Sequence, residues 1–316
     1  MSFSIERFTE QGLDQLLLKD NDSQTQALIL PKYGAILNGL FVMIEGERIN
    51  LIENYPDEAA AENIAKSFRS SKLSPYVCRM ANGQYSLNGK LFEIENKFVD
   101  GTAIHGLLFD KAFTIVAEFA DHEKASVTLK YHYKKDDPGY PFSYHCEITY
   151  TLLPGNLLKL ETTIINLDDE TIPLSDGWHP YFSLGGKIND WQLYFNADAM
   201  VEFNDKLIPT GKLVEYDGFN DEKFIGETIL DNCFLLKRDE TVPSCTLYNP
   251  ENKTGISFYP DSSYPYLQIY TPPHRNSIAI ENLSSAPDAF NNKMGLILLE
   301  PRRTKTFTVY YKIDRD

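Results

Sequence analysis

The stretch SVTLKYHYK, residues 126–134, alternates apolar and polar side chains along its whole length. The odd-numbered positions from Val127 to Tyr133 are apolar, whereas the even-numbered positions from 128 to 134 are Thr, Lys or His. Successive side chains of a β-strand point to opposite faces, so this pattern predicts a strand with one buried and one solvated face. Such strands are typical of antiparallel sheets.

The same period of two recurs along much of the chain. TFTVYYKI, residues 306–313, is a second clear example. Further segments alternate in the same way and are separated by Pro, Gly, Asn or Asp: 156–167, 191–196, 244–249, 255–259 and 265–271. Residues 13–30 predict a hairpin, because NDSQ forms a turn between two apolar segments. So many short strands predict an all-β fold, and their number favours a large antiparallel two-sheet β-sandwich over a small barrel.

Helical periodicity is restricted to one segment. DEAAAENIAKSF, residues 57–68, places Ala60, Ile64 and Phe68 on one face of a predicted helix. The sequence contains no linker rich in Gly or Ser, no internal repeat and no low-complexity segment. We therefore expect one β-sandwich domain over residues 1–316, with one or two short helices.

Composition and charge argue against several classes of partner. The chain carries 30 Lys and Arg against 45 Asp and Glu, a net charge of −15, with no basic stripe. This acidity argues against nucleic acid and anionic membranes as partners. No apolar segment approaches the about 18 residues of a membrane span, and the N-terminus lacks the pattern of a signal peptide. The cysteines form no CxxC pair, which favours free thiols and a cytoplasmic location.

The segment SDGWHPYFSLGG, residues 175–186, places a histidine in a stiff aromatic frame. The proline that follows His179 fixes its own φ and favours extended backbone before it. Trp178, Tyr181 and Phe182 provide flat apolar surfaces around the imidazole. An imidazole held in this way is suited to a flat polar ligand such as a sugar ring; a buried histidine near a strand end is the alternative.

Two more residues have the chemistry of a catalytic site. In TAIHGLLFD, His105 precedes Gly106, where a backbone can approach a ligand closely. In SIAIENLSS, Glu281 ends an apolar segment, and a carboxylate at a strand end can serve as a general base; an exposed glutamate is the alternative. Ligation of a metal ion by His105, His179 and Glu281 is conceivable, but no HxH or HExxH spacing supports it, so no metal site is predicted.

Six motifs, taken in order, resemble those of the aldose 1-epimerase (galactose mutarotase) family: RMAN, IHG, GWHPYF, LDNCF, LQIYT, and AIEN followed by PDAFN. The resemblance extends from about Gly34 to the final strand. It implies a galactose mutarotase-like supersandwich with an open cleft. It also implies an isomerase of carbohydrate metabolism that interconverts the α and β anomers of a free aldohexose, with a small-molecule sugar as its partner.

The resemblance assigns roles to six residues. It implies that Glu281 is the catalytic base, that His179 is the catalytic acid, and that His105 binds the sugar and stabilises charge at the ring oxygen. It implies substrate binding by Arg79, Asp231 and Gln268. From these residue types, Glu281 should titrate on the acidic side of the pH profile and His179 on the neutral-to-basic side.

The sequence departs from the commonest family pattern at several places. Cys78 stands where a glycine often precedes the arginine, and Phe113 stands where a tryptophan is usual. The second glycine after His105 and the asparagine just before it are absent. These departures leave the catalytic set complete and bear on the identity of the sugar.

Two other functions remain open at this point. A hexose-6-phosphate 1-epimerase of the same superfamily would need cations for the phosphate. The loop after His105 offers only Lys111, although Arg302 and Arg303 lie near the last strand. A non-catalytic carbohydrate-binding sandwich would use the aromatic surfaces alone, but it has no need of an acid–base pair.

The implied reaction bears on whether the protein needs a cofactor. Exchange of anomers involves proton transfers and no redox step, so no cofactor is required. The sequence leaves open a structural divalent cation and the preferred aldose. We expect a monomer or weak dimer.

Overall fold

The computed structural model describes residues 2–98, 100–237, 239 and 241–315. Its strands, in chain order, are β1 (Phe3–Glu10), β2 (Leu13–Asp20), β3 (Gln26–Leu30), β4 (Ile36–Ile44), β5 (Glu47–Asn50), β6 (Ser71–Leu73), β7 (Arg79–Met80), β8 (Gln84–Leu87), β9 (Lys90–Glu93), β10 (Ala103–Ile104), β11 (Thr114–Ala120), β12 (Ala125–Lys134), β13 (Ser143–Leu153), β14 (Leu157–Asn166), β15 (Ile172–Leu174), β16 (Gly177–His179), β17 (Tyr181–Phe182), β18 (Gln192–Phe195), β19 (Ala197–Phe203), β20 (Pro209–Val214), β21 (Lys223–Phe224), β22 (Asp231–Leu236), β23 (Cys245–Asn249), β24 (Thr254–Pro260), β25 (Tyr266–Tyr270), β26 (Ile278–Leu283), β27 (Ile297–Leu299) and β28 (Thr304–Arg315).

Helical structure in the described part of the chain is short. The α-helical turns are α1 (Glu58–Ala61) and α2 (Ala289–Asn292), and the 3₁₀ turns are Ile64–Lys66, Ala81–Gly83 and Ile188–Asp190. Within the residues that the structure describes, no helix has the length and apolar character needed to cross a bilayer.

Three large antiparallel sheets contain most of the described strands, and three further sheets have two strands each. The largest has nine strands in the order β11-β12-β13-β14-β28-β24-β23-β18-β21. The second has eight: β20-β19-β22-β25-β26-β16-β6, with β17 also paired to β26. The third is a five-stranded meander of β1 to β5, which contains the predicted hairpin as β2 and β3. The all-β class is confirmed, and each segment predicted from its alternation forms a strand.

Alternation along β12 has the predicted physical consequence. Val127, Leu129 and Tyr133 are buried, and Tyr131 is half-buried. On the neighbouring β13 the same pattern holds, so that Val127 lies opposite the buried Tyr150. Directly opposed apolar side chains of this kind stabilise an antiparallel pair.

Aromatic contacts join the nine-stranded and eight-stranded sheets into a sandwich. Ring pairs cross between the two sheets at centroid distances of 4.6 to 6.1 Å: Phe195–Phe234, Phe182–Phe258 and Tyr150–Trp178. Each such pair contributes about 0.5–1.5 kcal/mol beyond the burial of its area. The five-stranded sheet adds Leu16, Ile29 and Leu40 to the same hydrophobic cluster, so a third sheet, which the sequence did not indicate, extends the two-sheet core.

The predicted helix over residues 57–68 is wrong in its length. α1 ends at Ala61, a separate 3₁₀ turn follows, and Phe68 has a left-handed backbone with φ +53°. A helix of four residues gains little from cooperative hydrogen bonding, so packing of Ala61, Ile64 and Phe68 into one apolar cluster holds the segment instead. The turn at Phe68 carries its ring to 4.6 Å from the ring of His105.

Candidate active site

A cavity of about 320 Å³ lies over the eight-stranded sheet, and all six residues predicted for the site line it. They are Arg79, His105, His179, Asp231, Gln268 and Glu281. Apolar and aromatic side chains complete the lining, among them Phe68, Tyr181, Phe203 and Tyr270. A polar set on one side of a partly aromatic cavity suits a ligand with hydroxyl groups and apolar C–H surfaces.

Three neighbouring strands bring distant motifs together. Gln268 on β25 lies directly opposite Glu281 on β26, and Asp231 on β22 lies opposite Tyr270 on β25. Side chains opposite one another in an antiparallel pair share a face, as do residues two apart on one strand. The register therefore places Asp231, Gln268, Tyr270 and Glu281 around one cavity although they span fifty residues.

The aromatic frame of His179 differs from the interpretation drawn from the sequence. Tyr181 stacks on the imidazole, with centroids 5.0 Å apart and planes at 19°, and it lines the cavity. Trp178 and Phe182 point away and pack in the core against Tyr150 and Phe258. Alternation along β16 and β17 is the reason, because neighbours in a strand face opposite sides.

His179 and Glu281 form the central contact of the cavity. The distance from His179 Nε2 to Glu281 Oε1 is 3.3 Å, and the two side chains are 7% and 2% exposed. Burial lowers the pKa of His179 to about 4. Burial, together with the charge of Asp231, raises the pKa of Glu281 well above its ordinary value. The two groups are thus close enough to share one proton.

These two pKa shifts reverse the order in which the sequence predicts that Glu281 and His179 titrate. The sequence predicts a carboxyl that ionises on the acidic side and an imidazole that titrates near or above neutrality. Burial disfavours the charged form of each group, so it moves the pKa of Glu281 up and that of His179 down. The 3.3 Å contact between the two side chains favours the ion pair and therefore opposes the effect of burial on both pKa values. We take burial to set the order, because both groups have lost nearly all contact with water.

Backbone geometry sets the position of His105. Its φ is +62°, and Gly106 follows with φ +77°. A Cβ on Gly106 would lie 2.3 Å from the carbonyl oxygen of Ser74, so only glycine fits there. The His105 ring meets the edge of the His179 ring at 4.8 Å, and its Nδ1 is buried with no hydrogen-bond partner among the described residues. Burial holds the pKa of His105 well below its usual range.

The three residues predicted to bind substrate supply donors and acceptors. Gln268 Nε2 donates to Asp231 Oδ1 at 2.9 Å, which orients the amide. Gln268 Oε1 is then a buried acceptor with no partner in the described part of the chain. Arg79 lines the cavity and acts to lower the pKa of Asp231, but burial has the larger effect and raises it.

A cluster of three side chains could hold a metal ion, although no metal site is predicted from the sequence. Ligand atoms of Cys78, His105 and Glu281 all lie within 4.8 Å of one another. This set differs from the conceivable set of His105, His179 and Glu281, because the thiol of Cys78 takes part. Spacing in the sequence could not indicate it, since Cys78 and Glu281 are 203 positions apart.

Several residues that line the cavity were not singled out as site residues. The motif LQIYT could have indicated Tyr270, because this residue is two positions after Gln268 and so lies on the same face of the strand. Cys78 had a signal as the departure next to Arg79. Phe68 had none, because its place depends on the broken helix.

Phe113, which departs from the common family pattern, and two cations considered for a phosphate lie outside the cavity. Phe113 is in the hydrophobic core, 5.5 Å from the ring of Tyr131, and does not line the cavity. Arg302 pairs with Asp169 at 2.7 Å, and Lys111 pairs with Asp110 at 3.2 Å. Neither cation lines the cavity, whereas Lys66 and Arg79 do.

Comparison with known proteins places this geometry in context. The family model for aldose 1-epimerase matches residues 15–312 of the chain. A maltose epimerase from Levilactobacillus brevis is 24% identical over 325 residues, covering 93% of both proteins. An aldose 1-epimerase from Haemophilus influenzae is 26% identical over 241 residues, covering 70% of this chain and 66% of that protein. The solved structure of a galactose mutarotase-like protein from Clostridium acetobutylicum has a TM-score of 0.88 at 18% identity, covering 100% and 99% of the two chains.

Proposed function

Because the chain belongs to the aldose 1-epimerase family, a family of isomerases, we propose that it interconverts the α and β anomers of a free aldohexose by acid–base ring opening and closure. One observation carries this proposal: a carboxylate and an imidazole 3.3 Å apart, both buried, line a cavity that also holds sugar-compatible polar groups. A protein that only binds sugar has no need of a buried acid–base pair, so the same contact argues against a non-catalytic sandwich.

The proposed reaction consists of two coupled proton transfers. Glu281 removes the proton from the C1 hydroxyl while His179 donates a proton to the ring oxygen. The bond from C1 to the ring oxygen breaks, and C1 becomes a carbonyl carbon. After rotation about C1–C2, the reverse transfers close the ring on the other face and restore both side chains. Each positioned transfer contributes roughly 10²–10⁴-fold.

Burial assists the ring-opening direction. The reactive form has an ionised Glu281 and a protonated His179, and the first transfers convert this ion pair into a neutral acid and a neutral imidazole. A site with little water favours neutral over charged groups, as the raised pKa of Glu281 and the lowered pKa of His179 reflect. The pocket therefore favours the products of the first transfers over the ion pair, and the same burial makes the ion pair the minor form of the singly protonated pair before the sugar reacts.

Recognition of the sugar is assigned to the groups around this pair. Gln268 Oε1 can accept from a sugar hydroxyl, and Asp231, which accepts from the Gln268 amide, orients it. Arg79 and His105 are donors that line the same cavity. The face of Tyr270 suits the C–H groups of a pyranose ring.

The proposal includes the setting of the reaction. The chemistry needs no cofactor. A cytoplasmic location is supported by the four cysteines, Cys78, Cys146, Cys233 and Cys245, which are buried free thiols. We expect the protein to act as a monomer or weak dimer.

Polarimetry on fresh α-anomers tests the function. We expect purified protein to accelerate mutarotation of at least one of α-glucose, α-galactose and α-xylose above the spontaneous rate. Maltose belongs in the panel because one relative is named for it. Glucose 6-phosphate tests the sugar-phosphate alternative, for which Lys66 and Arg79 are the cations of the cavity.

The outcomes separate the alternatives. Saturable turnover of the phosphate but not of free sugars would establish the sugar-phosphate epimerase. Binding of sugar without turnover would establish the non-catalytic sandwich and contradict the proposal.

A further inference from the structure

We propose that the cavity binds a thiophilic divalent cation of the Zn²⁺ class through Cys78, His105 and Glu281, and that the bound ion inhibits the protein. The inhibitory consequence rests on the function proposed above, because it requires Glu281 to be the base. The binding site itself rests only on the three side chains and their geometry.

Distances within the cluster suit a tetrahedral ion. Cys78 Sγ lies 3.9 Å from Glu281 Oε2, and all three ligand atoms fall within 4.8 Å of one another. A tetrahedral Zn²⁺ with ordinary Zn–S and Zn–O bonds separates its sulfur and oxygen ligands by about 3.6 Å. The separation of Cys78 Sγ and Glu281 Oε2 exceeds this value by a few tenths of an ångström, so small movements of the side chains would complete the three bonds.

Burial makes the cluster a defined site rather than a chance grouping at the surface. Cys78 and His105 are each 7% exposed, and Glu281 is 2% exposed. His105 Nδ1 is a buried nitrogen with no hydrogen-bond partner among the described residues. A buried polar atom without a partner is destabilising, and a metal bond to this nitrogen would supply the missing interaction.

The position of Cys78 adds a second reason. Its φ is +48°, in the left-handed region that favours glycine, and its thiol nevertheless lies against the Glu281 carboxylate. A glycine would adopt this backbone without strain, but it would offer no ligand. The thiol is thus the only group that this backbone position contributes as a ligand on the cavity side.

The donor types select the class of ion. Sulfur and imidazole nitrogen bind Zn²⁺ well, whereas Mg²⁺ and Ca²⁺ prefer sites made only of oxygen. Binding converts the Cys78 thiol to a thiolate and the Glu281 carboxyl to a carboxylate, and both protons are released to solvent. Three protein ligands leave a fourth position for water on the cavity side.

Inhibition follows from the shared carboxylate. An ion bound to Glu281 withdraws the electron pair that would take the C1 hydroxyl proton, and the ion also occupies the space of the sugar. We therefore expect Zn²⁺ to compete with the sugar and to act reversibly.

The test measures metal binding and inhibition separately. Metal-free protein is titrated with Co²⁺, whose bonds to thiolate give a charge-transfer absorption, and with Zn²⁺ in a calorimeter. The variant is Cys78→Gly, which removes the thiol and suits the positive φ. Its matched control is Cys245→Ala, which removes a buried thiol on β23 of the nine-stranded sheet that does not line the cavity.

We expect the thiolate band in wild type and in Cys245→Ala and its absence in Cys78→Gly, where Zn²⁺ affinity should fall by at least about 10-fold. Absence of the band in wild type, or its persistence in Cys78→Gly, would overturn the metal site. Neither readout depends on sugar turnover, so failure of the proposed function would be recognised separately.

Polarimetry supplies the second readout, with each variant compared with its own metal-free rate. Zn²⁺ should raise KM for the sugar in wild type and Cys245→Ala, EDTA should reverse the effect, and Cys78→Gly should resist it. A thiolate band without inhibition of an active protein would overturn the inhibitory role.

Discussion

The Nζ atom of Lys72 lies 2.6 Å from Asp176 Oδ1, and both side chains are fully buried. Lys72 on β6 is the cross-strand partner of Trp178, and Asp176 immediately precedes β16, so this ion pair joins the two strands beside His179. The hydroxyl of Tyr264 donates a second hydrogen bond to Asp176 Oδ1 at 2.7 Å. The pair therefore anchors, from the core, the strand that carries the proposed acid.

Replacement of Lys72 by methionine should destabilise the protein strongly. Lys72→Met leaves the Asp176 carboxylate buried without its cation, which costs about 3–5 kcal/mol. Chemical denaturation measures the change in the free energy of unfolding. The control is Lys130→Met, which breaks a partly exposed pair with Glu147 and should cost about 1 kcal/mol or less. Equal losses in the two variants would contradict the anchoring role.

Loss of the proposed base should abolish most turnover while sugar still binds. Glu281→Gln keeps the shape of the side chain and removes the group that takes the C1 hydroxyl proton. Mutarotation should fall by at least about 100-fold, measured by polarimetry after subtraction of the spontaneous rate. Calorimetry should still detect sugar binding. Glu300→Gln, at an exposed site, serves as the control and should turn over normally; near-normal turnover in Glu281→Gln would remove Glu281 from this role.

The pH profile should be bell-shaped, because the pair works with one proton in total. At low pH it binds a second proton, and at high pH it loses the last one. Since burial lowers the pKa of His179 to about 4 and raises that of Glu281, the lower limb should follow the imidazole and the upper limb the carboxyl. His179→Asn should reduce turnover by roughly 100-fold or more, and what remains should only rise with pH, because it needs ionised Glu281 and no longer a protonated imidazole. The midpoint of that rise should lie above the ordinary range of a carboxyl, because burial raises the pKa of Glu281.

His105→Asn provides the contrast for this experiment. It removes a group that positions the sugar, so binding and turnover should weaken together while both limbs remain. Initial rates from about pH 4 to about pH 9 decide the matter. A rise in His179→Asn with its midpoint in the ordinary range of a carboxyl would show that burial does not raise the pKa of Glu281 and would contradict this order of proton affinities.

The buried carboxyl should make the wild-type protein less stable as the pH rises. The folded protein holds the Glu281 proton above the pH at which the unfolded chain releases it, because burial raises the pKa of that group in the folded state. Stability from this group is therefore complete at acidic pH and decreases as the pH rises toward the folded pKa. Glu281→Gln cannot ionise, so its Tm advantage over wild type should grow from pH 5 to pH 8, as calorimetry can measure. A constant difference would show that Glu281 titrates alike in both states.

Removal of metal ions should leave turnover intact. Proton transfer between Glu281, His179 and the sugar accounts for the proposed reaction without a Lewis acid. Polarimetry after exhaustive dialysis against EDTA should give the untreated rate, or a higher one if Zn²⁺ had occupied the cavity. Abolition of activity, with recovery on addition of one specific divalent ion, would contradict the metal-free mechanism.

Much of the fold was predictable because strand patterns are local. Alternation in residues 126–134 and 306–313 depends only on which side chains face water, and both segments form strands of the nine-stranded sheet. The prediction of a helix over residues 57–68 failed because the spacing of apolar residues by three and four positions cannot show where packing will end a helix. Alternation also predicts that the side chains of Trp178 and His179, which are neighbours on β16, point to opposite faces of the sheet. The aromatic composition of the segment obscured this prediction.

By itself, the sequence determined the all-β class, the family and the candidate residues, because each is written in local periodicity or in short motifs. Only the tertiary structure decided that Asp231, Gln268 and Glu281 meet at one cavity, since strand pairing joins positions far apart in the chain. It alone decided that the Cys78 thiol faces the Glu281 carboxylate. It also decided the order of proton affinities, because a pKa shift by burial depends on how much water the folded protein excludes from each group, and no single residue type carries that information.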